Sequence, residues 1–131
     1  MTNSPKYKKW TPVDSIPKRM FCEAIHDDYE GFRILLKGED PTSPMLRLKF
    51  DSVLLYRNID EGAMLKTLDS IKDREIFPLY IVHNSKWIEW FHEESHNMFI
   101  GNEIVHYSIM TPDDVIDILS ENPPNVEWLN R

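Results

Sequence analysis

Cysteine occurs once in the 131 residues, at Cys22, which excludes an internal disulfide framework. Glycine is nearly as scarce. The four, at 31, 38, 62 and 101, never cluster, so no glycine-rich loop is available to cradle a phosphate. No run approaches the ~20 apolar residues of a membrane span, and the opening MTNSPKYKKW lacks the apolar centre of a signal peptide. Basic residues are the minority, 15 against 22 acidic, for a net charge of −7. A surface of that sign repels phosphate backbones and attracts basic proteins. Together these absences point to a cytoplasmic protein in a reducing compartment, with no cofactor, no membrane contact and no direct nucleic-acid contact. They leave its oligomeric state open.

What is present argues for a folded core. Apolar residues make up 41% of the chain, with six Phe, five Tyr and four Trp, and a chain of this length can bury roughly two thirds of its unfolded surface. Pro5, Pro12 and Pro17 mark residues 1–19 as an irregular N-terminal arm that Trp10 can pin to the body, leaving 20–131 as a single domain. MFCEAIH and GFRILLK read as strands joined by the turn DDYEG. MLRLKF alternates cleanly, and SVLLYR continues it across a bulge at Asp51-Ser52. NIDEGAMLKTLDSI changes to helical spacing, capped by Asn58 or Asp60. IFPLYIVHN and IVHYSIM are strand-like, and SKWIEWFHEESH is the strongest helix, with Ser85 as cap and Trp87, Ile88, Phe91 and Ser95 as one stripe. TPDDVIDILS divides the rules: Thr111, Pro112 and two Asp are a helix start, whereas its β-branched residues suit a strand. The expected fold class is α+β, an antiparallel sheet packed by two or three helices.

One stretch carries a chemical signature. His92-Glu93-Glu94-Ser95-His96 fits H-E-x-x-H, in which two His one helical turn apart hold zinc and the Glu activates water. His26, His83 and His106 are the other histidines from which a third ligand can come. Against this, Glu94 puts a charge where an enclosed active-site helix carries none, and Phe99 and Asn102 stand where the extended motif needs Gly and His. A helix end with solvated His92 and His96 is the preferred reading, with no metal, and a zinc-dependent hydrolase is kept only as a second alternative. Cys22 reads as a small apolar strand residue, and His26 and His106 as packed or edge histidines. No catalytic set emerges, so the protein is expected not to be an enzyme.

LKFDSVLLYRNIDEG, PLYIVHNSKWIEWFHEES, HYSIMTPDDVIDILS and PPNVEWL together resemble small bacterial proteins grouped with the immunity proteins of toxin systems. The resemblance covers roughly residues 46–129. It is carried by Phe50, Tyr56, Arg57, Asp60 and Glu61, by Trp90, Phe91, Glu94 and Ser95, and by His106, Tyr107, Asp114, Asp117 and Trp128. It implies a cytosolic inhibitor that binds one cognate toxin domain, a basic nuclease-type domain being suited to an acidic partner. It also implies a strand over VIDILS. An acidic adaptor or regulator that binds another basic protein is the alternative. Interface anchors favour aromatic residues, so the candidate partner-binding residues are Asp27, Asp28, Tyr29 and Glu30 in one stretch and Glu89, Trp90, Glu93 and Glu94 in the other.

Overall fold

The computed structural model describes residues 4–71 and 77–129. Among the described residues nine strands are formed: β1 (Lys6–Lys9), β2 (Met20–Asp28), β3 (Gly31–Gly38), β4 (Met45–Phe50), β5 (Val53–Asp60), β6 (Leu79–His83), β7 (Val105–Met110), β8 (Asp114–Ser120) and β9 (Asn125–Trp128). Two short helices, α1 (Leu65–Ser70) and α2 (Lys86–Glu94), complete the described regular structure apart from one 3₁₀ turn at Glu61–Ala63. All pairing is antiparallel, in a five-stranded sheet ordered β1-β6-β7-β8-β5 and a four-stranded sheet ordered β2-β3-β4-β9. The α+β expectation therefore fails. The molecule is mainly β, two packed sheets with one substantial helix.

Alternation explains the core. Phe32, Ile34 and Leu36 of β3 lie opposite Phe50, Leu48 and Leu46 of β4, and all six are buried. They meet Leu79, Tyr107, Ile109, Ile116 and Ile118 from the five-stranded sheet in one cluster, as two inner faces of a sandwich do. The rings of Phe50 and Tyr107 cross the gap at 5.5 Å. Trp10 packs on Tyr107 at 4.9 Å, and the Trp128 indole N–H donates to the Asp14 carbonyl at 2.9 Å. These contacts tie the N-terminal lead-in to the body, and Lys6–Lys9 add an edge strand where an irregular arm was expected.

Two local readings are corrected, and one that was left open is decided. Asp51-Ser52 is a crossover and not a bulge, because β4 and β5 belong to different sheets. The helix expected from residue 58 starts later, because β5 runs to Asp60, whose carboxylate accepts from Gly62 N–H at 3.1 Å. TPDDVIDILS is a hairpin turn followed by β8. Thr111 Oγ1 accepts from the Asp113 and Asp114 N–H groups at 3.1 and 2.9 Å. A hydroxyl serves a turn in the same way as a helix N-cap, so the signal is shared. Burial then decides: Val115, Ile116, Ile118 and Leu119 are all buried, and a central strand covered on both faces reads as a continuous apolar run.

Candidate partner-binding surface

The outer face of the five-stranded sheet is covered at its centre by α2. Odd-numbered residues of β7 and even-numbered residues of β8 face the sandwich core, which turns His106, Ser108 and Asp117 outward beneath the helix. A charge in that position must be paired. The His106 Nε2–H donates to Asp117 Oδ1 at 2.9 Å, and the Arg57 Nε–H donates to Oδ2 at 3.0 Å. On the other side of the imidazole, Ser85 Oγ lies 2.7 Å from His106 Nδ1 while accepting the Ile88 N–H at 3.1 Å. The hydroxyl thus accepts from the helix N-terminus and hydrogen-bonds the imidazole at once, tying the cap of α2 to His106. The Arg57 guanidinium stacks over the Trp87 ring at 4.3 Å, and Trp87 meets the edge of His106 at 5.3 Å.

Burial by itself would raise the Asp117 carboxyl. The hydrogen bond and attraction of His106, then Arg57, then Ser108 across the ladder outweigh it and hold the group below the ordinary carboxylate value. Asp117 is therefore an anion at 1% exposure. Serine, histidine and aspartate in line match a hydrolase triad in composition. Here the hydroxyl is buried and spent on capping α2, so the chain of groups works as an anchor that fastens the N-terminus of α2 to β7, β8 and β5.

That anchor presents the opposite side of the helix to solvent. Glu89, Glu93 and Glu94 are exposed, and Trp90 is 47% exposed. Past Ser95 the chain folds back in tight turns, with Asn97 N–H on the His92 carbonyl at 2.8 Å and Met98 N–H on the Ser95 carbonyl at 3.0 Å. Phe99 packs on Phe91 at 5.3 Å. The residues flanking it, Met98 and Ile100, stand out at 78% and 61% exposure. Large exposed apolar groups beside carboxylates make this ledge the best protein-docking surface among the described residues.

The other predicted stretch behaves differently. Tyr29 stands at the tip of the β2–β3 hairpin, 96% exposed, and Gly31 takes a φ of +111° that the turn requires. Asp28 and Glu30 are both held by Arg33, each at 2.8 Å, so one of their two charges is offset within the hairpin, and Asp27 is exposed next to them. This hairpin belongs to the four-stranded sheet, whereas α2 covers the outer face of the other. The two stretches do not build one surface.

The metal geometry does not form either. α2 ends at Glu94, and His96 takes a φ of +52° outside it, so His92 and His96 are not one turn apart on a helix. Among the described residues no three His, Cys, Asp or Glu side chains converge as a metal would need. The residues that sequence reasoning missed as a unit are Ser85, His106, Asp117 and Arg57. The signal was an aspartate inside the apolar run VIDIL, because a strand buried on both sides must supply it with partners.

No helix of the described residues is long and apolar enough to cross a membrane. Compared with protein-family models, curated proteins and solved structures, the chain gives no match.

Proposed function

We propose that this protein is a non-catalytic inhibitor of the immunity type, acting in the cytosol by binding a basic toxin domain through the α2 ledge. The observation that carries the reading is the rigidly anchored helix whose outer side combines Trp90 with Glu89, Glu93 and Glu94. Rigid aromatic groups supply contact area at low entropic cost. Carboxylates around them speed encounter with a positive cleft and occupy positions that substrate phosphates would take. Using the buried Ser-His-Asp line as an anchor also fits a protein that works by binding.

The experiment is co-expression with a toxin domain encoded beside its gene. Stoichiometric co-purification and protection of the host, both lost on Trp90→Ala with Glu93→Lys, support the proposal. Failure to protect against that toxin refutes it, and capture of a housekeeping partner in place of a toxin transfers the surface to the adaptor reading.

A further inference from the structure

The two ends of the β2–β3 hairpin are unlike. At one end the register pairs Asp28 with Gly31, which leaves Tyr29 and Glu30 as a two-residue turn. Asp28 Oδ1 accepts the Glu30 N–H at 2.9 Å, and Arg33 bonds both flanking carboxylates at 2.8 Å. These bonds fix the backbone that carries Tyr29. The other four tyrosines each set their ring against an aromatic neighbour: Tyr7 and Tyr80 on each other, Tyr56 on Phe32, and Tyr107 on Trp10 and Phe50. Tyr29 is 96% exposed. Its ring adds nothing to the core and stands as a preorganised knob.

The other end has a hole. The register pairs Met20 with Gly38 there, and a cavity of about 410 Å³ lies between Asp14 and Pro17 of the lead-in, Gly38, Ser43 and Pro44 around the β3–β4 turn, and Trp128 of β9. The Trp128 indole N–H is already given to the Asp14 carbonyl at 2.9 Å, so the indole offers the cavity carbon surface, to which Pro17 and Pro44 add. A Cβ at Gly38 would stand 2.8 Å from Ser43 Oγ, so this wall is bare backbone. An apolar cavity of this kind suits an aromatic ring, and the Asp14 carboxylate and Ser43 hydroxyl are acceptors for a phenol O–H. The signs of charge also differ between the ends. In a chain of net charge −7, residues 1–20, which form the lead-in wall, hold Lys6, Lys8, Lys9, Lys18 and Arg19 against Asp14 alone. Lys18 and Arg19 follow Pro17 directly and are exposed. At the tip, Asp27, Asp28 and Glu30 outnumber Arg33.

We propose that the hole receives Tyr29 of a second copy of this chain. β2 spans nine residues at ~3.3 Å each, so a tip cannot reach the hole of its own hairpin. Two copies lying antiparallel fill both holes at once, and copies set end to end form longer assemblies. One ring in one pocket falls well short of the ~1,600 Å² of a standard interface, which makes the association weak, with a Kd on the order of 0.1 mM. The contact uses different residues from the α2 ledge and does not depend on its role.

Sedimentation equilibrium of the full, tag-free chain from about 10 µM to about 1 mM tests this, a range that brackets the expected Kd. The average mass should rise with concentration, to a dimer or beyond. Tyr29→Ala should weaken association about tenfold or more with an unchanged unfolding midpoint, because the ring is exposed. Asp14→Trp keeps the backbone carbonyl that holds Trp128 and puts a bulky ring at the cavity wall, so it should weaken association alike. An equimolar mixture of the two variants should regain association that neither has alone, since one keeps the hole and the other the knob. Lys18→Glu with Arg19→Glu should weaken association most at low salt, and takes the place of Asp14→Trp in the mixture if that variant lowers the unfolding midpoint. A monomer at every concentration, association that survives Tyr29→Ala, or a mixture that regains nothing overturns the proposal.

Discussion

Replacing Asp117 by Asn tests the anchor with little change of shape. The amide can still accept from His106, but the charge facing the Arg57 guanidinium and the imidazole is gone. Breaking a buried ion pair by removing one partner costs about 3–5 kcal/mol. Arg57 is 38% exposed along its side chain, so water takes over part of its loss. A hydrogen bond to a charged group is worth about 1.5–3 kcal/mol. The expected destabilisation is therefore about 2–3 kcal/mol, or a fall in Tm of ~7–11 °C for a chain of this size. Urea unfolding followed by tryptophan fluorescence measures it, and hydrogen exchange locates it: amides of α2 should lose more protection than those of β3 and β4. The pH dependence has a definite sign. A carboxyl whose folded value lies below its ordinary one, about 3.9, stabilises fully above that pH. Its contribution is lost as the pH falls through the depressed folded value, so wild type and Asp117→Asn should converge in acid. A loss below about 0.5 kcal/mol at neutral pH, or a difference that grows in acid, would refute the anchor.

Trp90→Ala should cost about 2 kcal/mol or more in partner affinity while changing stability by under about 1 kcal/mol, since the ring is half exposed; calorimetry and thermal melts separate the two. Glu93→Lys with Glu94→Lys should slow association with a basic partner by about tenfold at low salt, with the difference shrinking as salt rises, as read by stopped-flow. Zinc added to tag-free protein should leave the melting midpoint unchanged, and His92→Ala should behave alike with and without metal; a zinc-dependent midpoint lost in that variant restores the hydrolase. Gly31→Ala should destabilise by about 1–2 kcal/mol, because its φ of +111° is one that side-chain-bearing residues rarely adopt; a neutral outcome in urea unfolding removes that reading of the turn.

Where one face of a strand meets the core and the other meets solvent or a thin cover, the period of two is visible in the letters, and β3 and β4 were legible for that reason. The helix α2 was legible from its cap, because Ser85 does accept the Ile88 N–H. What failed was the weighing of helix against sheet. β8 is buried on both faces, which erases alternation, and the Thr111 turn uses the same hydroxyl-to-amide bonds as a helix start. Leu65, Leu68 and Ile71 kept their helical spacing, yet the chain had already spent residues 58–60 on β5, whose partner β8 lies about sixty residues away in sequence. Pairing over that distance leaves no local trace.

The site divides in the same way. Exposed residues such as Tyr29 and Trp90 were legible because an aromatic amid charges in a turn or on a helix's polar side has nowhere to hide. The acidic letters around them were not equivalent: Arg33 pairs with both Asp28 and Glu30 and offsets one of their charges, while Glu93 and Glu94 have no such partner among the described residues. H-E-x-x-H shows the converse case. Its chemistry needs both His on one continuous turn, and Ser95 ends the helix between them. The Ser95 hydroxyl donates back to the Phe91 carbonyl at 2.8 Å, and His96 and Asn97 then take φ of +52° and +60°. A motif is a statement about backbone as much as about side chains, and here the backbone turns away one residue before the second ligand. The same departure leaves Met98 and Ile100 exposed in the turns that follow α2. The break that disables the metal reading thus builds the surface on which partner binding is proposed.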